Sequence, residues 1–399
     1  MKKYSLSSAV LWVGLCIIWQ SAAAETIHVS PSGNDAWTGQ LVQPNADRSD
    51  GPVATLARAR DIIRGWKADT PLAEPVHVIV ADGVYSLTKP FVLTPQDSGT
   101  KSCPISYERA PGASPEISGG RAIVGFRPAQ DGIWQADIPD VAAGKWTFEQ
   151  LVVNGTRAVR AKTPNQSYDH MGETVEVPLE GQSGKFRRTT EIPVSSLEPL
   201  KGLSEAELHD VTLVAVHKWC ISRRFVSEVD HDANTIITIG EQLKSYSGWP
   251  AKTRFHLESF KAALDAPGEW FLSRQGTLYY KPLPGEDMTQ AEVIAPVAEK
   301  LVVIQGNPEQ DQFVEYITLA GLSFQHNSYR LPAHGYAPYQ AAFTTEAAVV
   351  ADGARNVAIV DCKITHTGDY AAWFRRGCQD CAFRHCCLSD LGAGGVRIG

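Results

Sequence analysis

Short runs of alternating apolar and polar residues, broken by Gly, Pro, Asn and Asp, make up most of the chain. Thr26-Ile27-His28-Val29, Val76-His77-Val78-Ile79-Val80, Phe91-Val92-Leu93 and Ile105-Ser106-Tyr107 each put their apolar side chains on one face, as half-buried strands do. A helical period appears convincingly once, over roughly 56–67. There Leu56, Ala59, Ile62, Ile63 and Trp66 share a face, and Thr55 stands at the N-cap position. Short strands, turn-forming residues between them and a single helix predict an all-β architecture.

The strand style changes from about 127 to 296. Leu151 to Val159 reads as a hairpin in which Asn154-Gly155 supplies a type I′ turn. Trp270-Phe271-Leu272 and Leu278-Tyr279-Tyr280 read as a second hairpin. This stretch is expected to be a β-rich, sandwich-like domain inserted between segments 25–126 and 297–399.

After Pro296 a period emerges. Val357, Ile359, Asp361, Cys362, Ile364 and His366 recur 24 residues later as Cys381, Phe383, His385, Cys386, Leu388 and Asp390. Asn356 and Asp380, Gly368 and Gly392, and Trp373 and Arg397 keep the same offset. A first row, Ile317 to His326, lies 40 residues before the second, which fits if a loop of about 16 extra residues containing Tyr329 to Tyr339 intervenes. A repeat of this length with several short strands per unit is the pattern of a solenoid. One coil cannot bury its apolar face alone, so coils stack, and Cys362 over Cys386 and Ile364 over Leu388 become interior ladders. The expected fold is a right-handed parallel β-helix solenoid with an N-terminal capping helix. The strand pattern Val396-Arg397-Ile398 is still running at Gly399, and an open coil exposes its edges, so further coils are expected beyond it.

Composition narrows the class. With 43% hydrophobic and 20% charged residues, the 399-residue chain has ample material for a core and is neither disordered nor collagen-like. Residues 1–24 read as a secretory signal: Lys2 and Lys3, an apolar run from Ala9 to Trp19 too short to span a bilayer, and a cleavage site near Ala24. The protein is therefore expected to be secreted or periplasmic. Its net charge is −7, and loss of the two leader lysines makes it more acidic, which argues against nucleic acid or a membrane as partner. Beyond Cys16, seven cysteines remain, four of them at Cys378, Cys381, Cys386 and Cys387. Their spacing admits zinc or a disulfide, but strand positions favour plain packing, and Cys362 and Cys386 are expected to point inward, unpaired and metal-free. No metal site and no cofactor are expected.

Several segments together carry a family resemblance. They are Val29-Ser30-Pro31-Ser32-Gly33-Asn34-Asp35, Gly51-Pro52-Val53-Ala54-Thr55-Leu56 and Val80-Ala81-Asp82-Gly83-Val84-Tyr85, then Pro267-Gly268-Glu269-Trp270-Phe271-Leu272 and Asp390-Leu391-Gly392-Ala393-Gly394-Gly395-Val396-Arg397. The chain resembles secreted β-helix carbohydrate enzymes and looks most similar to glycoside hydrolase family 141, over nearly all its length after the leader. The resemblance implies cleavage of O-glycosyl bonds, as in α-L-fucosidases and xylanases, with a polysaccharide or oligosaccharide as partner. It also implies that catalytic carboxylates generally lie on later coils.

Glycosidic cleavage needs one carboxyl group to protonate the leaving oxygen and another to attack the sugar or activate water. These sit about 5–5.5 Å apart for retention and about 6.5–9.5 Å for inversion. Coils stack ~4.8 Å apart, so acids on neighbouring coils meet those distances. Asp390 is the first candidate, ending a strand before a Gly-rich turn, with His366 one coil earlier and Asp369 in the adjoining turn. Glu346 is a further candidate acid, while Asp352 before Gly353 reads as a turn residue. Asp390 and His366 also suit the plain task of satisfying turn backbone. His366, Tyr370, Trp373, Arg375 and Arg397 offer ring faces and donors for a sugar, or equally a packed pair and a solvated basic face. His334 lies in a long loop of the kind that carries binding groups. The Gly392-Ala393-Gly394-Gly395 run is expected to leave room for a sugar beside the backbone. Three functions stay open: a glycoside hydrolase, a polysaccharide lyase with a Lys, Arg or Tyr base, and a non-catalytic carbohydrate-binding β-helix.

Overall fold

The computed structural model describes residues 24–244 and 248–399, so the leader expected over the first 24 residues lies outside it, Ala24 apart. Three parallel sheets run the length of the molecule. The first stacks Glu25–Val29, Val76–Val80, Ile105–Arg109, Ile317–Ala320, Ala358–Val360 and Ala382–Arg384. The second stacks Val84–Ser86, Glu116–Ser118, Ser323–Gln325, Lys363–Thr367 and Cys387–Leu391. The third stacks Phe91–Leu93, Val302–Gln305, Ala347–Asp352, Tyr370–Phe374 and Val396–Ile398. The chain visits the three sheets in turn, which makes it a parallel β-helix.

The repeat in the sequence is the coil. Ala358 lies opposite Ala382, Lys363 opposite Cys387 and Trp373 opposite Arg397, a constant step of 24 residues. Ile117, Phe324 and Ile364 form one fully buried ladder continued by Leu388. Each such side chain contributes about 1.5–3 kcal/mol by leaving water. The corners have their own period. Tyr316, Gly321 and His326, then Asn356, Asp361 and His366, then Asp380, His385 and Asp390 all have φ between +48° and +66°. One left-handed residue every five bends an extended chain from sheet to sheet, and Asn, Asp and His are the non-glycine types enriched there.

At the first coil, helix Leu56–Asp69 packs Leu56, Ala59 and Ile63 onto the same core, against the edge strands Glu25–Val29 and Phe91–Leu93. Thr55 caps it, its hydroxyl accepting from the Arg58 N–H at 3.0 Å. No helix among the described residues is long and apolar enough to cross a membrane.

Two long excursions leave the coil, both between a second-sheet and a third-sheet strand. One runs from Ser118 to Val302. It opens and closes with the antiparallel pair Gly120–Ala122 and Val293–Pro296, and it holds mainly antiparallel sheets around two separate apolar clusters. Phe255, Leu257 and Leu213 centre one cluster; Trp146, Phe148 and Trp270 centre the other. The second excursion, between Gln325 and Ala347, departs one coil later from the same corner. The two meet: Arg223 and Tyr336 exchange backbone hydrogen bonds of 2.7 and 2.8 Å, and the Ala341 N–H donates to the Trp219 carbonyl at 2.8 Å.

All seven described cysteines are unpaired, and no group of three or more His, Cys, Asp or Glu among the described residues is placed to hold a metal ion. Cys362 is buried, and burial pushes its thiol up to about 12. Because the thiolate is the reactive form, iodoacetamide at pH 8 should spare Cys362 in the native protein and label exposed Cys387, as peptide mass mapping would show. Fast native labelling of Cys362 would contradict that packing.

Candidate functional site

The second-to-third-sheet corner carries a column of polar side chains. His326, His366 and Asp390 occupy the same left-handed position on three successive coils. The His326 and His366 rings stack at 5.3 Å with 16° between their planes. His326 Nδ1 lies 3.0 Å from the Ser118 hydroxyl. Burial, then the nearby His366 and Arg157, lower the His326 pKa to about 4, so this ring is neutral. His366 Nε2 donates to the Gly155 carbonyl at 2.9 Å and stands 3.8 Å from Asp390 Oδ2.

The inserted domain reaches this column through the hairpin anticipated at Asn154-Gly155. Asn154 and Gly155 have φ of 49° and 71°, the two positive values that a type I′ turn requires, and Val152 pairs with Arg157. Arg157 Nε donates to Asp390 Oδ1 at 2.9 Å, and its Nη2 donates to the carbonyls of Thr367 at 2.8 Å and Asp390 at 3.0 Å. One hairpin thus clamps both His366 and Asp390.

Beside the clamp opens a cleft of about 880 Å³, walled by the inserted domain, the second excursion and the corner of the last two coils. That volume lies within the range of small-ligand sites. Trp219, Tyr329, Tyr336 and Tyr370 contribute rings. The Arg160–Glu149 pair closes at 3.2 Å and the Arg223–Glu258 pair at 2.8 Å. Burial works to raise the Glu258 carboxyl, but Arg223, His256 and Arg160 outweigh it and hold the group at about 2.

The residues singled out from the sequence divide into groups. Asp390, His366 and Tyr370 come together at the cleft. Trp373, Arg375, Arg397 and Glu346 gather instead on the outer face of the third sheet. Arg375 and Arg397 lie 4.3 and 3.6 Å from the Trp373 ring centroid, and Arg375 and Lys300 both pair with Glu346. Neither Trp373 nor Arg397 is among the residues that line the cleft beside Asp390. Trp373 is half-buried between the core residues Ala372 and Phe374, and Arg397, stacked on its ring, donates to the Phe343 carbonyl. His334 is exposed elsewhere on the loop, its carbonyl accepting from Arg224 at 2.9 Å. Gly392, Ala393 and Gly394 line the cleft, while a Cβ on Gly392 would strike the Gly368 carbonyl and one on Gly394 the Tyr370 ring, so these two glycines also permit tight stacking of the coils.

Asp369, between the cleft-lining Gly368 and Tyr370, is buried and accepts from Asn327 at 3.1 Å. Burial pushes its carboxyl up to about 7, with Glu346 and Glu299 adding and the Asn327 hydrogen bond opposing. A carboxyl raised on folding stabilises fully below its ordinary pKa of 3.8 and loses that contribution as pH rises through about 7. Asp369→Asn should therefore gain stability relative to the parent protein between pH 4 and 8, by up to a few kcal/mol. His326 works in the opposite sense, losing stability as pH falls from 6.5 toward about 4. Thermal unfolding of both proteins across this range checks the sign, and a difference independent of pH would refute it.

Arg157, Arg160, Arg223, Glu149, Glu258 and Trp219 were not anticipated. The Asn-Gly hairpin was a signal for Arg157, but nothing in the local pattern connects it with a corner 233 residues away.

The parallel coil interrupted by antiparallel sheets defines the class, a β-helix with an inserted domain. Residues 131–283 match the family model of the GH141 insertion domain, so the chain is similar to glycoside hydrolase family 141 proteins. A solved structure titled a glycoside hydrolase superposes with a TM-score of 0.79 at 22% identity, covering 94% of this chain and 68% of that one. A structure of XylC with xylose superposes with a TM-score of 0.39 at 16% identity, covering 87% of this chain and 41% of that one. No curated protein matches the chain.

Proposed function

We propose that this is a secreted glycoside hydrolase acting on a plant or algal polysaccharide, with Asp390 as the carboxylate at the reacting centre. The observation that carries the reading is the clamp: Arg157 and His366 fix Asp390 at the wall of an aromatic-lined cleft between a β-helix and a GH141 insertion domain. Asp369 is buried behind cleft-lining Gly368 and Tyr370 with its carboxyl held by Asn327, so the reading rests on Asp390. The coil winds to the right, as parallel crossovers do in nearly all proteins, and the insert is sandwich-like.

Hydrolysis is favoured over elimination for a chemical reason. A lyase base must be deprotonated to take the proton next to the sugar's carboxylate, yet burial moves the Tyr329 and Tyr336 hydroxyls upward and keeps them protonated, and Arg157 is committed to Asp390 and Thr367. Incubation with fucosides, xylans and pectic polysaccharides should release reducing ends without the ultraviolet absorbance of an unsaturated sugar. Ultraviolet-absorbing products would establish the lyase instead, and absence of cleavage of every polysaccharide would leave a binding protein.

A further inference from the structure

We propose that the rim of the cleft formed by Lys218, Trp219, Lys244, Tyr339 and Phe343 is a binding site for an acidic glycan, one bearing uronate or sulfate groups. This rests on reading the cleft as a sugar site and adds the charge class of the sugar.

Three large rings are exposed together here. Trp219 is 57% exposed, Tyr339 56% and Phe343 40%. Aromatic side chains in a soluble protein usually bury most of their surface, and clustered exposed ones mark contact sites. The hydrogen bond from Ala341 to the Trp219 carbonyl joins the two segments, and the Tyr339 and Phe343 rings are 6.3 Å apart. Ala341 and Ala342, between those rings in sequence, belong to the cleft wall, so the rings flank its mouth. Flat apolar faces at a cleft mouth suit the C–H faces of pyranose rings.

The charges select among sugars. The protein is acidic overall, at −7. Within the cleft each carboxylate has its own arginine: Asp390 with Arg157, Glu149 with Arg160, Glu258 with Arg223. Lys218 remains, lining the cleft with no carboxylate in ion-pair range among the described residues. Its ammonium lies 5.4 Å from the Trp219 ring centroid, and that of Lys244 lies 5.7 Å from Tyr339. A lysine is a point charge on a flexible stem. It can leave a ring face to meet a carboxylate or sulfate on a sugar stacked there, and a charge-assisted hydrogen bond exceeds an exposed cation–π contact.

Calorimetric titration tests this with three probes: oligogalacturonides, the same oligosaccharides with methyl-esterified carboxyls, and sulfated galactan oligosaccharides. One or both acidic probes should bind about five- to tenfold more tightly than the neutral ester, a preference that high salt and the Lys218→Gln/Lys244→Gln variant erase. Trp219→Ala should weaken acidic and neutral probes alike, by about tenfold. Thermal unfolding confirms that these surface variants fold. Equal binding of ester and acids, or a preference that survives loss of both lysines, overturns the inference. If neutral xylan is hydrolysed while no acidic probe binds, the inference falls and the hydrolase reading stands. If nothing binds and nothing is cleaved, both fall.

Discussion

Asp390→Asn should lower kcat/KM on the protein's best substrate by about 10²–10⁴ while leaving thermal unfolding near that of the parent. Asparagine keeps the shape, and its side-chain carbonyl still accepts from Arg157 Nε, so the hairpin stays on the coil. What disappears is the negative charge. The lost ion pair is partly exposed, at 26% and 33% for the two side chains, and such pairs contribute roughly 0–1 kcal/mol. A catalytic role and a structural role thus separate cleanly. Near-normal turnover of every substrate by a folded Asp390→Asn protein would remove Asp390 from the chemistry.

The largest stability effect is expected from Arg223→Ala. It leaves Glu258 buried and without its principal counter-charge, which costs about 3–5 kcal/mol for a broken buried pair. In the parent, Glu258 is held at about 2, well below its ordinary 4.5. Its contribution to stability is present above pH 4.5 and fades as pH falls toward 2. The variant should therefore be most impaired near neutral pH and recover relative to the parent in acid, where Glu258 accepts a proton. Adding Glu258→Gln should restore part of the loss at pH 7. Urea unfolding at pH 7 and pH 4 measures both effects, and a single variant as stable as the parent at pH 7 would show that the pair does not hold the insert's strands.

The coil was legible because it is a local repeat. Interior ladders force similar residues to recur every 24 positions, and the left-handed corners draw Asn, Asp and His to fixed places such as Asn356, Asp380 and Asp390. The extra loop after His326 was visible as a break in that period. The site was only half legible. Sequence alternation separates inward from outward residues, but a coil with three sheets has three outward directions. That is why Trp373 and Arg397 could be read as outward-facing without revealing that neither lines the cleft. Asp369 was placed in the turn adjoining Asp390, but its burial against Asn327 of the second excursion has no signature in the sequence. The clamp by Arg157 depends on docking between segments with no shared period, and no spacing rule encodes that.

The excursion between Ser118 and Val302 also bears on how the protein is made. Most solenoids grow by adding each repeat to its neighbour. Here Phe91 pairs directly with Val302 in the third sheet, across the whole inserted domain. A ribosome adding roughly 5–20 residues per second takes tens of seconds to supply that partner. Throughout that interval the strand Phe91–Leu93 has the helix on one side and an unpaired edge on the other, and unpaired edges invite aggregation. The inserted domain has two apolar clusters of its own and can fold during the wait. Translation halted inside the insert therefore leaves a nascent β-helix whose three sheets all end on unpaired strands, Phe91–Leu93, Ile105–Arg109 and Glu116–Ser118.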